Sequence, residues 1–350
     1  MIETPINILR EELGKIVTHI NDVKTQENII RTAANAGSKD AEILLTHKTD
    51  EKKFFYNAVI ISTYGAFERY VESLLDEYIE KQGKLLPKFS QLDNNIQKNY
   101  ADNWKLLHKN LQYKKYEALN EKDLIKNLYD VIYRGKSCVK PECYYKPNGN
   151  YKSKIILEVF QSIGIKDASI KEYCKIPDED ALALSYETIV NTVDEIIDRR
   201  HIIAHTTGKI DDILDGNMLL HYISNLRLYA EALSDFLNDR LIGIFWSGLN
   251  DKHNIITAEN SMKVAQVLVF ENIQGVRFEK DKKVTICMPK GTYPRYKFVK
   301  VEEIRIVKKA GGKEEKVRRL DPKSKYLEVS MSFNDPTVIK RKVKVANKAF

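Results

Sequence analysis

Over the first 250 residues, apolar positions recur at three- and four-residue spacing, the period of a helix that buries one face. Ile6, Ile8, Leu9, Leu13, Ile16, Val17 and Ile20 fit one or two helices within residues 2–35, and Ala36-Gly37-Ser38 breaks the pattern. Phe67, Val71, Leu74, Leu75 and Tyr78 form one stripe of a helix expected from about Glu51 to Lys81, with Gly83 as its stop. Glu68 lies beside that stripe. Tyr100, Trp104, Leu107 and Leu111 predict a further helix, and Lys154 to Phe160 a short one ending near Gly164. Ile189, Val193, Ile196 and Ile197 define a helix that runs to His205, with Gly208 as its stop. Its start stays open between the acidic segment Pro177-Asp178-Glu179-Asp180 and a break near Ser185. Leu219, Ile223, Leu226, Ala230, Leu233 and Leu237 then keep register in a long helix to about Trp246.

From about residue 265 the period falls to two. Leu327, Val329, Met331 and Phe333 alternate with Glu328, Ser330 and Ser332, and Val343 and Val345 with Lys342 and Lys344. Six or seven short strands separated by Gly, Pro and Asn breaks point to a small antiparallel barrel or sandwich. The fold class expected is therefore α+β: a helical domain over 1–250 with an insertion at about 85–150, a linker at 251–264, and a β-domain at 265–350.

Charge sharpens this division. Of the 57 Lys and Arg and 49 Asp and Glu, residues 251–350 hold 24 and 12, leaving 33 and 37 for residues 1–250. The β-domain is thus strongly basic and the helical part slightly acidic. Arg277, Lys282, Lys283, Arg295, Lys308, Lys313, Arg318, Arg319 and the Lys340-Arg341-Lys342 run make it a candidate RNA platform; the alternative is a solubilising outer face. In the insertion, Tyr113 to Tyr116 and Tyr144 to Lys146 interleave aromatics and lysines, which suits either stacking on single-stranded RNA or padding for the helices below. Hydrophobic residues at 43% support a packed core. No apolar run reaches the roughly 18 residues of a membrane span, the first residues lack signal-peptide blocks, and four cysteines do not make a disulfide scaffold. A cytoplasmic protein without a membrane contact is expected.

The chemistry concentrates at the end of the 189–205 stripe. Arg200 falls on that stripe, seven residues after Val193 and four after Ile196. A guanidinium on a core-facing side needs an acid, another chain or a phosphate. His201 and His205, four apart, share an adjoining face, and His205 stands in the last turn, where the helix dipole favours imidazolium. One fixed fork and two imidazoles suit phosphate handling. The His201-x-x-x-His205 spacing also fits a metal, but Ile202 stands where a zinc protease needs glutamate, and neither metal nor cofactor is expected.

Arg200-His201-x-x-x-His205 resembles the arginine, polar residue, three spacers and histidine signature of the HEPN superfamily, whose active members are metal-independent ribonucleases. Arg199 to Thr206 is similar to the pattern of its prokaryotic defence-associated branch, and Tyr64-Gly65-Ala66-Phe67-Glu68-Arg69-Tyr70-Val71-Glu72 to that branch's Phe-Glu helix. Together they cover about residues 50–245. The resemblance implies an endoribonuclease that leaves 2′,3′-cyclic phosphate ends and acts in phage defence or stress response, alongside a cognate antitoxin or defence-system partner. It makes Arg200 and His205 the catalytic pair, with His201 in support where asparagine is commoner. Beside the resemblance, position across the helix pair suggests that Glu68 orients Arg200, and positive charge makes Arg199, Lys340, Arg341 and Lys342 the expected RNA contacts. The resemblance also implies a homodimer. Two other readings are a catalytically silent module binding RNA or protein, and a scaffold in which Arg200 only holds a dimer together.

Overall fold

The computed structural model describes the 350-residue chain except at residues 1, 47, 148, 166–168, 177–183, 206–211, 250–254, 259, 263–266, 275, 290, 309, 311, 335–342 and 347–350. The expected helix start at Pro177–Asp180, the stop at Gly208 and the Lys340-Arg341-Lys342 run lie outside the described residues. The chain divides into two compact units, residues 2–234 and 235–350, and the division falls within the last helix.

Eight α-helices are described: α1 (Thr4–Asn35), α2 (Lys39–Thr46), α3 (Lys48–Leu85), α4 (Asn94–Lys109), α5 (Glu121–Ile132), α6 (Ser153–Ser162), α7 (Tyr186–His205) and α8 (Gly216–Ser247). Residues 4–35 form one helix, closed where Gly37 takes a left-handed φ of 90°. The stripe of α3 is fully buried, with Phe67, Val71, Leu74, Leu75 and Tyr78 at most 2% exposed. Gly83 does not stop that helix. It lies inside α3, where a Cβ would come within 2.8 Å of the Ser137 carbonyl oxygen. The glycine is there for close approach, and Pro87 prevents the helix from continuing. α7 starts at the Ser185 break, whose hydroxyl accepts the Thr188 N–H at 3.1 Å and caps the first turn. Asp215 does the same for α8, accepting from Asn217 and Met218 at 2.7 and 2.9 Å.

The insertion carries α4, α5 and the loop that leads to α6. Tyr116, Tyr144 and Tyr151 are at most 4% exposed, so these tyrosines pad the helices rather than face solvent.

The second unit is an antiparallel, barrel-like sheet in the order β1-β8-β4-β5-β7-β3-β2, with β6 on β5. Its strands are β1 (Ile255–Thr257), β2 (Asn260–Met262), β3 (Val267–Gln274), β4 (Lys283–Cys287), β5 (Tyr296–Val307), β6 (Glu315–Val317), β7 (Lys325–Phe333) and β8 (Lys344–Ala346). The stretch expected as linker holds β1 and β2, which pair with β8 and β3. β5 pairs with β4 up to Lys300 and with β7 from Val301 onward, with an irregularity between Val301 and Glu303, so one strand serves both halves of the sheet. Val329, Met331 and Phe333 point into the core, but Leu327 is 39% exposed and Tyr326 takes the inward place. On the paired strand Ile273 stands opposite Tyr326, and its neighbour Asn272 has a φ of 53°, which breaks the alternation there.

Candidate functional site

α7 is held by Ile189, Val193, Ile196 and Ile197, all at most 1% exposed. This packing against α3 decides what its last two turns present. Arg199 turns inward and is fully engaged. It bonds Glu195 at 2.7 and 2.8 Å, the Tyr56 hydroxyl at 2.8 Å, and the carbonyl and carboxylate of Asp212 at 2.9 Å. Those bonds staple α7 to α3 and to the segment before α8, and no donor face is left toward solvent. The RNA contact expected of Arg199 is therefore taken up by protein.

Arg200 is half-buried with its guanidinium carbon 4.9 Å from the ring centre of Tyr64 on α3, a cation–π contact. Among the described residues no carboxylate forms an ion pair with it. His201 and His205 are exposed one turn apart, their rings 4.4 Å between centroids, on the face beside Arg200. The structure thus brings Arg200, His201 and His205 together.

Glu68 is placed differently from expectation. Its carboxylate is 3.5 Å from the Lys115 ammonium, and the expected pair with Arg200 does not form. Glu68 instead lies one turn along α3 from Tyr64, and both side chains face the backbone of Gly149. A Cβ on Gly149 would collide with the Glu68 carboxylate and come within 2.8 Å of the Tyr64 hydroxyl, and φ there is 64°. The next residue, Asn150, is also left-handed and donates its N–H to the Tyr64 hydroxyl at 2.6 Å. The loop is pinned on both sides. Tyr151 donates to Glu72 at 2.9 Å, Lys152 pairs with Asp198 at 2.6 Å, and Ser153 gives its N–H and hydroxyl to Asp194 at 2.7 and 2.8 Å.

Tyr64, Glu68, Glu72 and Asp76 therefore make a row at every fourth residue of α3, met by Asn150, Lys115, Tyr151 and Tyr145 respectively. Lys115 bonds Glu72 and the Lys146 carbonyl and lies 5.6 and 5.9 Å from the rings of Tyr145 and Tyr151. Burial, and then the nearby charge of Glu68, push the Tyr64 hydroxyl up to about 12, so Tyr64 stays a neutral ring under Arg200 at ordinary pH. Sequence reasoning missed Tyr64, Gly149 and Asn150. Tyr64 stands four before Glu68 in the quoted helix and was legible from that spacing; the Gly149 loop is some 80 residues away in sequence and carries only turn-forming residues as a signal. Cavities of about 580 and 440 Å³ in this unit are lined by other residues, around Asp76–Ser137 and Glu27–Leu219. The Arg200 site is built on surface rather than in either of them.

A helical unit that ends a buried helix in Arg200 and His205, packed on a Phe67-Glu68 helix, defines a HEPN domain. The chain belongs to the RiboL-PSP-HEPN family, whose model matches residues 21–239. The match starts earlier than about residue 50, so the second half of α1 is part of the domain; Ile20 is fully buried and Glu27 pairs with Lys52 of α3 at 3.4 Å. HEPN domains are often ribonucleases. Comparison with curated proteins and with solved structures gave no match.

Proposed function

We propose that the protein is a metal-independent endoribonuclease in which Arg200 and His205 carry the reaction and His201 assists. The observation behind this is the state of Arg200: half-buried, laid over Tyr64, and with no carboxylate partner among the described residues. A guanidinium in that setting is stabilised when an anion arrives, and its planar fork matches phosphate oxygens. His205 takes the proton from a ribose 2′-hydroxyl as its oxygen attacks the adjacent phosphorus, and Arg200 stabilises the charge gathering on the phosphate oxygens. The bond to the 5′-oxygen breaks and that oxygen takes up a proton from solvent, leaving a 2′,3′-cyclic phosphate and a 5′-hydroxyl. DNA, which lacks the attacking hydroxyl, is spared. Glu68 supports this site at one remove, through the Gly149 loop beside the Tyr64 hydroxyl. An RNA-degrading effector of phage defence or stress response, working with a cognate partner, is the role such chemistry suits.

The test is incubation of purified protein with total RNA and excess chelator, followed by analysis of product ends. Cleavage is expected to persist, with cyclic phosphate termini. Arg200→Ala and His205→Ala are each expected to lower the rate by at least about a hundredfold, the scale of one lost acid–base or electrostatic contribution. Full activity in either variant sinks the assignment.

A further inference from the structure

The β-unit gathers its cations unevenly. At one end, Arg305, Lys308 and Lys316 are each neutralised, by Glu303 and Glu314, by Glu315 at 3.6 Å, and by Glu303 at 2.7 Å. At the other end most are not. Lys280 donates its backbone N–H to the Arg318 carbonyl at 2.8 Å, the Asp281 N–H goes to the Val301 carbonyl at 2.8 Å, and Val301 donates to the Lys282 carbonyl at 3.0 Å. In the same place Lys283 and Lys300 stand directly opposite each other on β4 and β5. Five cations thus surround a turn whose centre is Asp281, left-handed at φ 68°. Lys300 pairs with Asp281 at 3.0 Å, whereas Lys280, Lys282, Lys283 and Arg318 have no ion pair among the described residues, and all are exposed. The Asp281 carboxyl is held below its usual range, first by the Lys300 hydrogen bond and then, against desolvation, by the charges of Lys300, Lys280 and Arg318.

Like charges opposite one another weaken a strand pair. Lysines that block aggregation belong on edge strands, yet Lys280 and Lys282 stand in the turn before β4 and Arg318 just after β6, outside any strand. Edge protection therefore does not account for this cluster. We infer that Lys280, Lys282, Lys283, Lys300 and Arg318 form a docking surface for the sugar–phosphate backbone of single-stranded RNA, separate from the Arg200 site. RNA fits better than an anionic membrane because no large apolar side chain is exposed in the cluster to enter a bilayer; Tyr293 and Leu327, the exposed large apolar residues described in this unit, are not part of it. The helical part is slightly acidic. A basic second unit supplies the long-range attraction that it lacks.

The experiment uses the full chain carrying Arg200→Ala, so that RNA survives, and measures binding of a labelled single-stranded oligouridylate by anisotropy across a salt series. Cleavage is not read, so an absence of ribonuclease activity leaves this test intact. Each phosphate contact contributes about 0.7 to the slope of log affinity against log salt for single strands. Adding Lys280→Gln, Lys282→Gln and Arg318→Gln together is expected to weaken binding at least about tenfold at low salt and to reduce that slope by about 2. The matched set Arg305→Gln, Lys308→Gln and Lys316→Gln is expected to leave the slope unchanged. An unchanged slope in the first set, or an equal drop in both, overturns the surface. So does cluster-dependent binding to phosphatidylserine vesicles without binding to the oligonucleotide.

Discussion

Arg199 and Arg200 are neighbours in sequence and opposites in fate. Arg199 is spent on Glu195, Tyr56 and Asp212, while Arg200 keeps its donors and rests on the face of Tyr64. Adjacent helix positions point about a hundred degrees apart, so one residue's rotation separates a staple from a phosphate fork. A second residue-scale consequence concerns Asp76, at the far end of the same α3 row. Burial pushes its carboxyl up to about 6, against the Tyr145 hydroxyl that donates to it. The folded protein then holds this proton more tightly than the unfolded chain between about pH 4 and pH 6, so stability falls as pH rises through that window. Asp76→Asn keeps an acceptor for Tyr145 and removes the ionisation. We expect the variant to be more stable than the parent by about 1–3 kcal/mol at pH 7–8 and equal to it near pH 4, read from thermal melting at the two pH values. A parent that melts higher at pH 7 contradicts this account of the row.

At the scale of elements, two helical glycines separate conformational cost from close packing. Gly14 of α1 has nothing within 4 Å of where a Cβ would stand, whereas Gly83 of α3 faces the Ser137 carbonyl at 2.8 Å, and Ser137 also donates to the Gly83 carbonyl at 2.9 Å. Gly14→Ala is expected to stabilise the protein by about 0.5–1 kcal/mol, since a helix interior prefers alanine. Gly83→Ala is expected to destabilise it by about 1–3 kcal/mol through overpacking against backbone that has no rotamer to change. Denaturant titration of both variants checks the opposite signs. The same pair shows how far local reading reaches. A glycine near a helix end reads as a stop, and only the segment that returns from residue 137 reveals its purpose.

For the whole molecule, the expected assembly is a homodimer. His201 and His205 lie on one face of one helix, so this pair does not supply an imidazole to the opposite side of a scissile phosphate. Two copies of α7 facing across a two-fold axis would supply it, each giving Arg200 and His205 to one composite cleft. Large apolar side chains exposed on both helices of the site, Phe54 and Ile61 on α3 and Ile202 on α7, offer surface for such a contact. Mixing Arg200→Ala protein with His205→Ala protein, with mass and cleavage followed together, tests it. Activity is expected to fall on dilution along with the dimer. A monomer that cleaves RNA at full rate at every concentration rules the composite site out.

The sequence alone determined the two periods, and with them the helical unit and the β-unit, because burial of one face is written directly as spacing along the chain. It determined equally that Arg200, His201 and His205 share an arc, since helix geometry sets the angles between residues one and four apart. What lies opposite that arc was a matter for tertiary structure. Tyr64 rather than Glu68 receives Arg200, Arg199 closes on Asp212, and the loop at Gly149 enters the site from the insertion. The basic cluster at Lys280 is of the same kind: its members are scattered over some forty residues, and backbone hydrogen bonds between a turn and two strands bring them together. Such partners are chosen by how separate elements pack, and no local pattern in the chain encodes the distance between them.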